Sequence, residues 1–130
     1  MFIKLGEYEV ELNTKLKTVR RIEGLFKLPL IQVFRKLEEA TLEELVKILA
    51  VAADKASGEA LRDFQNLVEA EWDYADLQLA VQELVSRLHF TGTPDQINAK
   101  LDRFPMPEAS KNAVRELLGL PGKTEASGPE

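Results

Sequence analysis

The spacing of apolar residues along the chain changes once, near Asn13. Before it, Phe2-Ile3-Lys4-Leu5 and Tyr8-Glu9-Val10-Glu11-Leu12 flank Gly6-Glu7. The second stretch alternates apolar and charged residues, the pattern of a half-buried strand, so the chain is predicted to open on a β-hairpin. Its apolar face, Tyr8, Val10 and Leu12, must cover something, because an isolated hairpin is marginal in water. After Asn13 the period becomes helical: Leu16, Val19, Ile22 and Phe26 share one face, with Asn13 or Thr14 available as the N-cap. Lys27-Leu28-Pro29 ends this helix, since Pro cannot extend it and disfavours α geometry at Leu28. A second helix is predicted from about Pro29 to Glu39, with Leu30, Val33, Phe34 and Leu37 on its apolar face and Pro29 suited to its first turn.

Thr41-Leu42-Glu43-Glu44 has the form of a capping box, Thr at the cap and Glu three residues on. The helix it opens carries Leu42, Leu45, Ile48, Leu49 and Ala52, apolar enough to be central. Ser57-Gly58 precedes a fourth helix with Leu61, Phe64, Leu67 and Val68. A fifth is predicted from about Trp72 to His89, with Leu77, Val81, Leu84 and Leu88 along one side. Thr93-Pro94-Asp95-Gln96 is a second capping box, with Pro at the first helical position, opening a helix through Ile97 and Leu101. Phe104-Pro105-Met106-Pro107 is a stiff connector. A last helix is predicted from about Glu108 to Leu118, with Gly119 at its C′ position. Residues 121–130 have no apolar anchor beyond one Ala and are expected to form a disordered tail. The expected fold is mainly α: a short hairpin at about 1–12, then a bundle of six to seven short helices in one domain over 1–120.

Composition narrows the function. The 130 residues are 45% hydrophobic and 30% charged, a globular balance rather than a disordered one. Cys is absent, which excludes disulfides, thiol nucleophiles and thiolate metal sites. A single His excludes a multi-histidine metal site. No apolar run approaches a membrane span and no signal peptide is recognisable, so an intracellular protein that does not cross a membrane is expected.

Charge is uneven. Residues 1–37 hold eight Lys/Arg against four Asp/Glu, a balance of +4, and the remainder carries −9. An acidic chain without a dense basic patch is a poor nucleic-acid binder, so no nucleic-acid partner is expected. Lys15, Lys17, Arg20 and Arg21 form the one basic cluster. They read either as a solvated helix face or as a self-association contact with the acidic surface of a neighbouring copy. A basic end and an acidic body favour head-to-tail association.

Candidate chemistry is sparse. His89, at the end of the fifth helix, suits the helix dipole and has no partner motif that would make it a base. Glu38-Glu39 and Glu43-Glu44 are adjacent pairs, which do not face each other on a helix. The glycines are scattered, so no phosphate-binding loop is present. No catalytic, metal or cofactor site is expected, and the chain reads as a non-enzyme. Trp72 and Tyr74 lie in the acidic stretch Glu69-Ala70-Glu71-Trp72-Asp73-Tyr74-Ala75-Asp76. They are either core residues at a helix start or an exposed aromatic anchor for a partner. Leu25, Phe26, Leu28, Leu30, Ile31, Val33 and Phe34 crowd ten residues, and a small bundle leaves some of that apolar surface over for protein binding.

The order of elements resembles the tail assembly chaperones of long-tailed phages and prophages. Leu5-Gly6, Tyr8-Glu9-Val10-Glu11-Leu12, Val19, Ile22-Glu23, Leu30, Ala40-Thr41-Leu42-Glu43-Glu44-Leu45 and Ile48-Leu49 carry the resemblance, over about the first 55 residues. The resemblance implies a helical protein without enzymatic activity that multimerises and coats the aggregation-prone tape measure protein during tail assembly. It implies a life in the cytoplasm of the bacterial host and absence from the mature virion. It also implies a second, longer form made by a −1 ribosomal frameshift, which brings the tail tube protein. Pro121-Gly122-Lys123 is compatible with slippery codons and equally with a plain tail. Leu25, Phe26, Leu30 and Phe34 are the expected client contacts. The alternative is a small bacterial helical adaptor or regulatory module that binds a partner through Trp72 and Tyr74.

Overall fold

Gly6 turns the chain back on itself at φ +66°, and the two strands that flank it form an antiparallel hairpin. Strands β1 (Phe2–Leu5) and β2 (Tyr8–Glu11) pair in the register Phe2↔Glu11, Ile3↔Val10, Lys4↔Glu9 and Leu5↔Tyr8. The computed structural model describes residues 1–120, and the tail expected at 121–130 lies outside the described residues. The buried face of the hairpin is made mainly by Ile3 and Leu5, with Leu12 just beyond β2, whereas Tyr8 is exposed and Val10 half-buried. This corrects the expected covering face at Tyr8 and Val10, while Leu12 is buried as expected. Partners opposite each other share a face, so Tyr8 lies beside Leu5. It is β1, however, that packs closely against the fourth helix, while Tyr8 lines an open concavity with Ala60, Phe64 and Leu67 of that helix.

Helix α1 (Leu16–Phe26) follows. Its N-cap is Lys15, not Asn13 or Thr14, and Asn13 acts one step earlier. The Asn13 Oδ1 accepts from the Lys15 N–H (2.9 Å) and from the Thr18 hydroxyl (3.0 Å), which orders the entry to the helix. Lys27 stops α1 in the left-handed conformation at φ 55°. Helix α2 is shorter than expected, Leu30–Arg35, and a 3₁₀ turn, Leu37–Glu39, finishes the segment. Pro29 sits at its N-cap rather than inside its first turn. The cap that Pro cannot supply comes from α1: a Glu23 carboxylate oxygen accepts the Leu30 N–H at 2.8 Å.

Helix α3 (Leu42–Ala52) starts at the expected capping box, with the Thr41 hydroxyl accepting from the Glu44 N–H and the Glu44 carboxylate from the Thr41 N–H. From Leu45 to Ala52 only Lys47 escapes burial, so α3 is the central element, with α1 and α4 packed on it. Its C-terminal Ala52 carbonyl accepts the Asn13 N–H at 2.8 Å, tying the hairpin exit to the core. Helices α4 (Gly58–Glu71) and α5 (Tyr74–His89) complete this part. Trp72, expected to open the fifth helix, instead caps the fourth in an extended conformation. Phe64 and Val68 from α4, and Leu77, Val81, Leu84, Val85 and Leu88 from α5, join the same core as Ile22, Leu30 and Val33.

The sequence predicts one domain over 1–120; the chain is divided into two compact units, Met1–Leu88 and a second from His89. The second unit holds α6 (Pro94–Arg103) and α7 (Glu108–Leu117). α6 begins at the expected Thr93 capping box with Pro94 at the first helical position, and Gly119 ends the described chain's last turn at φ +69°. This unit carries its own apolar set: Phe90, Ile97, Leu101, Val114 and Leu118 are buried. Phe90 and Phe104 meet edge to face, with ring centroids 5.2 Å apart. At its centre Arg115, 1% exposed, donates to Asn98 Oδ1 (2.8 Å), Asn112 Oδ1 (2.9 Å) and Asp102 Oδ1 (2.9 Å). The fold is thus mainly α with an N-terminal hairpin, as the pattern of apolar positions predicts.

Candidate functional site

The residues singled out for chemistry are occupied locally. Glu44 is the acid of the α3 capping box, and Glu38 and Glu39 are exposed on the 3₁₀ turn. The His89 ring packs on Phe90 and meets Phe104 edge-on, at centroid distances of 5.8 and 6.2 Å. Asp73 and Asp76 exchange bonds with each other's backbone, the Asp73 carboxylate accepting from the Asp76 N–H (2.8 Å) and the reverse at 3.2 Å. Two acids of the acidic stretch therefore start α5 in the manner of a capping box. Among the described residues, no group of three or more His, Asp or Glu side chains is placed to hold a metal ion. No helix among them is long and apolar enough to cross a membrane.

What remains is surface, and two of the concavities in the Met1–Leu88 unit lie at residues singled out from the sequence. The first, about 290 Å³, lies where the end of α1, α2, the 3₁₀ turn and α3 converge, and Phe26, Leu28, Val33 and Ile48 line it together with Lys36, Glu39 and Glu44. Of the expected client contacts, Phe26 lines it and is half-buried, and Leu25 is exposed on the same last turn of α1. Phe34 is half-buried and packs against the core, and Leu30 is buried within it. Sequence reasoning placed all four on one binding surface, whereas Leu25 is the one whose side chain stands out in solvent.

The second concavity, about 360 Å³, is formed by Leu42 of α3, Val68 of α4, Trp72 at the end of α4, and Tyr74 and Leu77 of α5. The two aromatics differ in burial. Trp72 is half-buried against the core, and its indole N–H donates to the Lys4 carbonyl at 3.0 Å. Tyr74 is 48% exposed, and its hydroxyl donates to the Ala40 carbonyl at 3.0 Å. Each hydrogen bond fixes the polar tip of the ring and leaves apolar surface to line the cavity. Glu69 and Asp73 stand at its rim.

No family model, curated protein or solved structure matches this chain.

The basic cluster is exposed throughout: Lys15, Lys17, Arg20 and Arg21 all face solvent, and Arg21 pairs with Asp54 at 3.2 Å. Among them stands Leu16, 81% exposed. The helical spacing assigns Leu16 to the core-facing stripe of α1, and this is where that reading fails. Leu16 is the first residue of the helix, one turn short of the buried Thr18 and Ile22 level, so its side chain projects beyond the core. The signal available in the sequence was its flanks, since Lys15-Leu16-Lys17 holds a lone apolar residue between two cations. Leu42 was missed for the same reason: it begins α3 and remains 44% exposed.

Proposed function

We propose that this chain is a non-enzymatic tail assembly chaperone that binds the tape measure protein and keeps it soluble during tail assembly. The observation that carries the reading is the distribution of exposed apolar surface. Every large hydrophobic side chain strongly exposed among the described residues, from Phe2 to Leu79, belongs to the Met1–Leu88 unit. Leu25 among them, next to Phe26 in the last turn of α1, offers a client an apolar contact. The hairpin, the helix that follows it and the Thr41 capping box, whose residues carry the resemblance to tail assembly chaperones, are all formed. The concavity beside Phe26 takes apolar side chains of a helical client, and Leu25 is exposed on the same last turn of α1. On this reading the protein works in the bacterial cytoplasm and leaves before the virion is complete. A longer, frameshifted form brings the tail tube protein.

The test is co-expression with a tape measure protein of a long-tailed phage. The wild-type chain keeps the client in the soluble fraction. Leu25→Asp loses at least about half of that effect while its circular dichroism is unchanged, because the residue is already in water. A client that precipitates equally with and without the chain sinks the proposal and favours the adaptor reading. The codons for residues 121–123 supply an independent check: a slippery heptamer followed by a long open −1 frame is the expected finding.

A further inference from the structure

A two-stranded sheet has two outer edges, and in this hairpin they differ. The Leu12 N–H donates to the Met1 carbonyl at 2.6 Å, so these two residues form a hydrogen-bonded pair. Bonded and non-bonded pairs alternate along an antiparallel ladder, which makes Ile3↔Val10 and Leu5↔Tyr8 bonded and Phe2↔Glu11 and Lys4↔Glu9 not. Lys4, Glu9 and Glu11 therefore turn their backbone N–H and C=O groups outward. On β1 the Lys4 carbonyl is taken by the Trp72 indole. On β2 the N–H and C=O groups of Glu9 and Glu11 have no hydrogen-bond partner among the described residues. Beside that edge lies a hollow of about 570 Å³ between β2 and the first half of α4, and all four β2 residues line it. Tyr8 and Val10 share the face of Ile3 and Leu5 and line the hollow with Phe64 and Leu67, whereas Glu9 and Glu11 are exposed on the opposite face. The charged residues that line it are the acids Glu9, Glu11 and Asp63 against the cation Lys55.

We propose that β2 takes an extended peptide of a partner protein as a third strand, one in which apolar residues alternate with Lys or Arg. The outward backbone groups of Glu9 and Glu11 hold the peptide main chain, the mode by which edge strands capture extended segments. The alternation of the strand then fixes the side-chain chemistry. Peptide residues beside Tyr8 and Val10 fall on the side of Phe64 and Leu67 and are apolar, and those beside Glu9 and Glu11 are cationic. The same glutamates disfavour a second copy of this chain as the occupant. Two β2 edges brought together set Glu9 and Glu11 of one against those of the other, and like charges facing across strands destabilise the pair. The site shares no lining residue with the concavity beside Phe26, so the proposal goes beyond client binding and does not depend on it.

The probe is a synthetic peptide of about eight residues with blocked ends, alternating Val and Lys, titrated with the full chain. Fluorescence anisotropy of the labelled peptide is expected to show saturable binding with Kd on the order of 100 μM, at least about tenfold tighter than for the matching Val/Glu peptide. In the complex the Glu9 and Glu11 amides exchange with solvent at least about tenfold more slowly. Glu11→Pro deletes an N–H that bonds nothing among the described residues, so the hairpin tolerates it while binding falls at least about tenfold. Glu9→Lys combined with Glu11→Lys changes exposed side chains and reverses the order of the two peptides. A Val/Lys peptide methylated on its backbone nitrogens keeps every charge and does not bind. Absence of binding at ~1 mM peptide overturns the proposal. Equal binding of the methylated peptide also overturns it, because charge alone then accounts for the attraction. So does protection of the Glu9 and Glu11 amides by concentrating the chain without peptide, which places a second copy on the edge. Should Glu11→Pro unfold, the charge-reversed variant decides: an unchanged order of the two peptides overturns the proposal.

Discussion

At the scale of single residues, a few positions are set by backbone geometry rather than by packing. Gly6 has φ +66°, and a Cβ there would stand 2.6 Å from a carboxylate oxygen of Glu71. A positive φ at the first central residue of a two-residue loop is the type II′ pattern, which Gly fills without cost. The Glu71 side chain swings aside easily, so the backbone term dominates. Gly6→Ala is expected to destabilise the fold by about 1–2 kcal/mol, read as a lower urea midpoint at unchanged slope. Trp72 and Tyr74 show the opposite situation, in which side chains decide. Their polar tips reach backbone carbonyls 68 and 34 residues away, and such distant partners leave no trace in local sequence.

Among the elements, the capped helices were the most legible. Thr41 and Thr93 each stand three residues before a Glu or Gln, and both capping boxes are present with both hydrogen bonds. Thr41→Ala removes one of them from the helix at the centre of the core. The expected loss is about 1 kcal/mol, measured as a lower thermal midpoint, with Thr41→Gly losing less. The boundaries that sequence misplaced are those capped from elsewhere. α2 is capped by Glu23 of the preceding helix, seven residues away, and α5 by an Asp73–Asp76 exchange that reads as a plain acidic run. The candidate surface was legible in composition and not in detail. Crowded apolar residues from Leu25 to Phe34 promised leftover surface, yet Leu30 went to the core, while Leu16 and Leu42, at helix starts, did not. Helical periodicity gives the face a residue occupies; how far along the axis the core extends is fixed by tertiary packing.

At the scale of the whole chain, the division at His89 gives each unit its own source of stability. The Met1–Leu88 unit rests on one apolar cluster around α3. The unit that follows adds a buried guanidinium, Arg115, held by Asn98, Asp102 and Asn112, with Glu108 at 3.6 Å. Sequence reasoning passed over Arg115, because a lone Arg in a helix is ordinarily at the surface. Arg115→Ala is expected to lose about 2–4 kcal/mol, since it removes several charge-assisted hydrogen bonds and a filled volume together. Hydrogen exchange checks where the loss falls: the amides of α6 and α7 exchange faster while those of α3 keep their protection.

The bond from Trp72 to Lys4 also sets an order in time. The hairpin leaves the ribosome before its anchoring partner, which is made 68 residues after Lys4. At cellular elongation rates the gap lasts on the order of several seconds. Until α4 is made, β1 lacks the helix it packs against, and the strands are marginal alone. Nascent chains shorter than Trp72 therefore carry an open, apolar strand pair, and it is during synthesis that this protein itself most needs a companion.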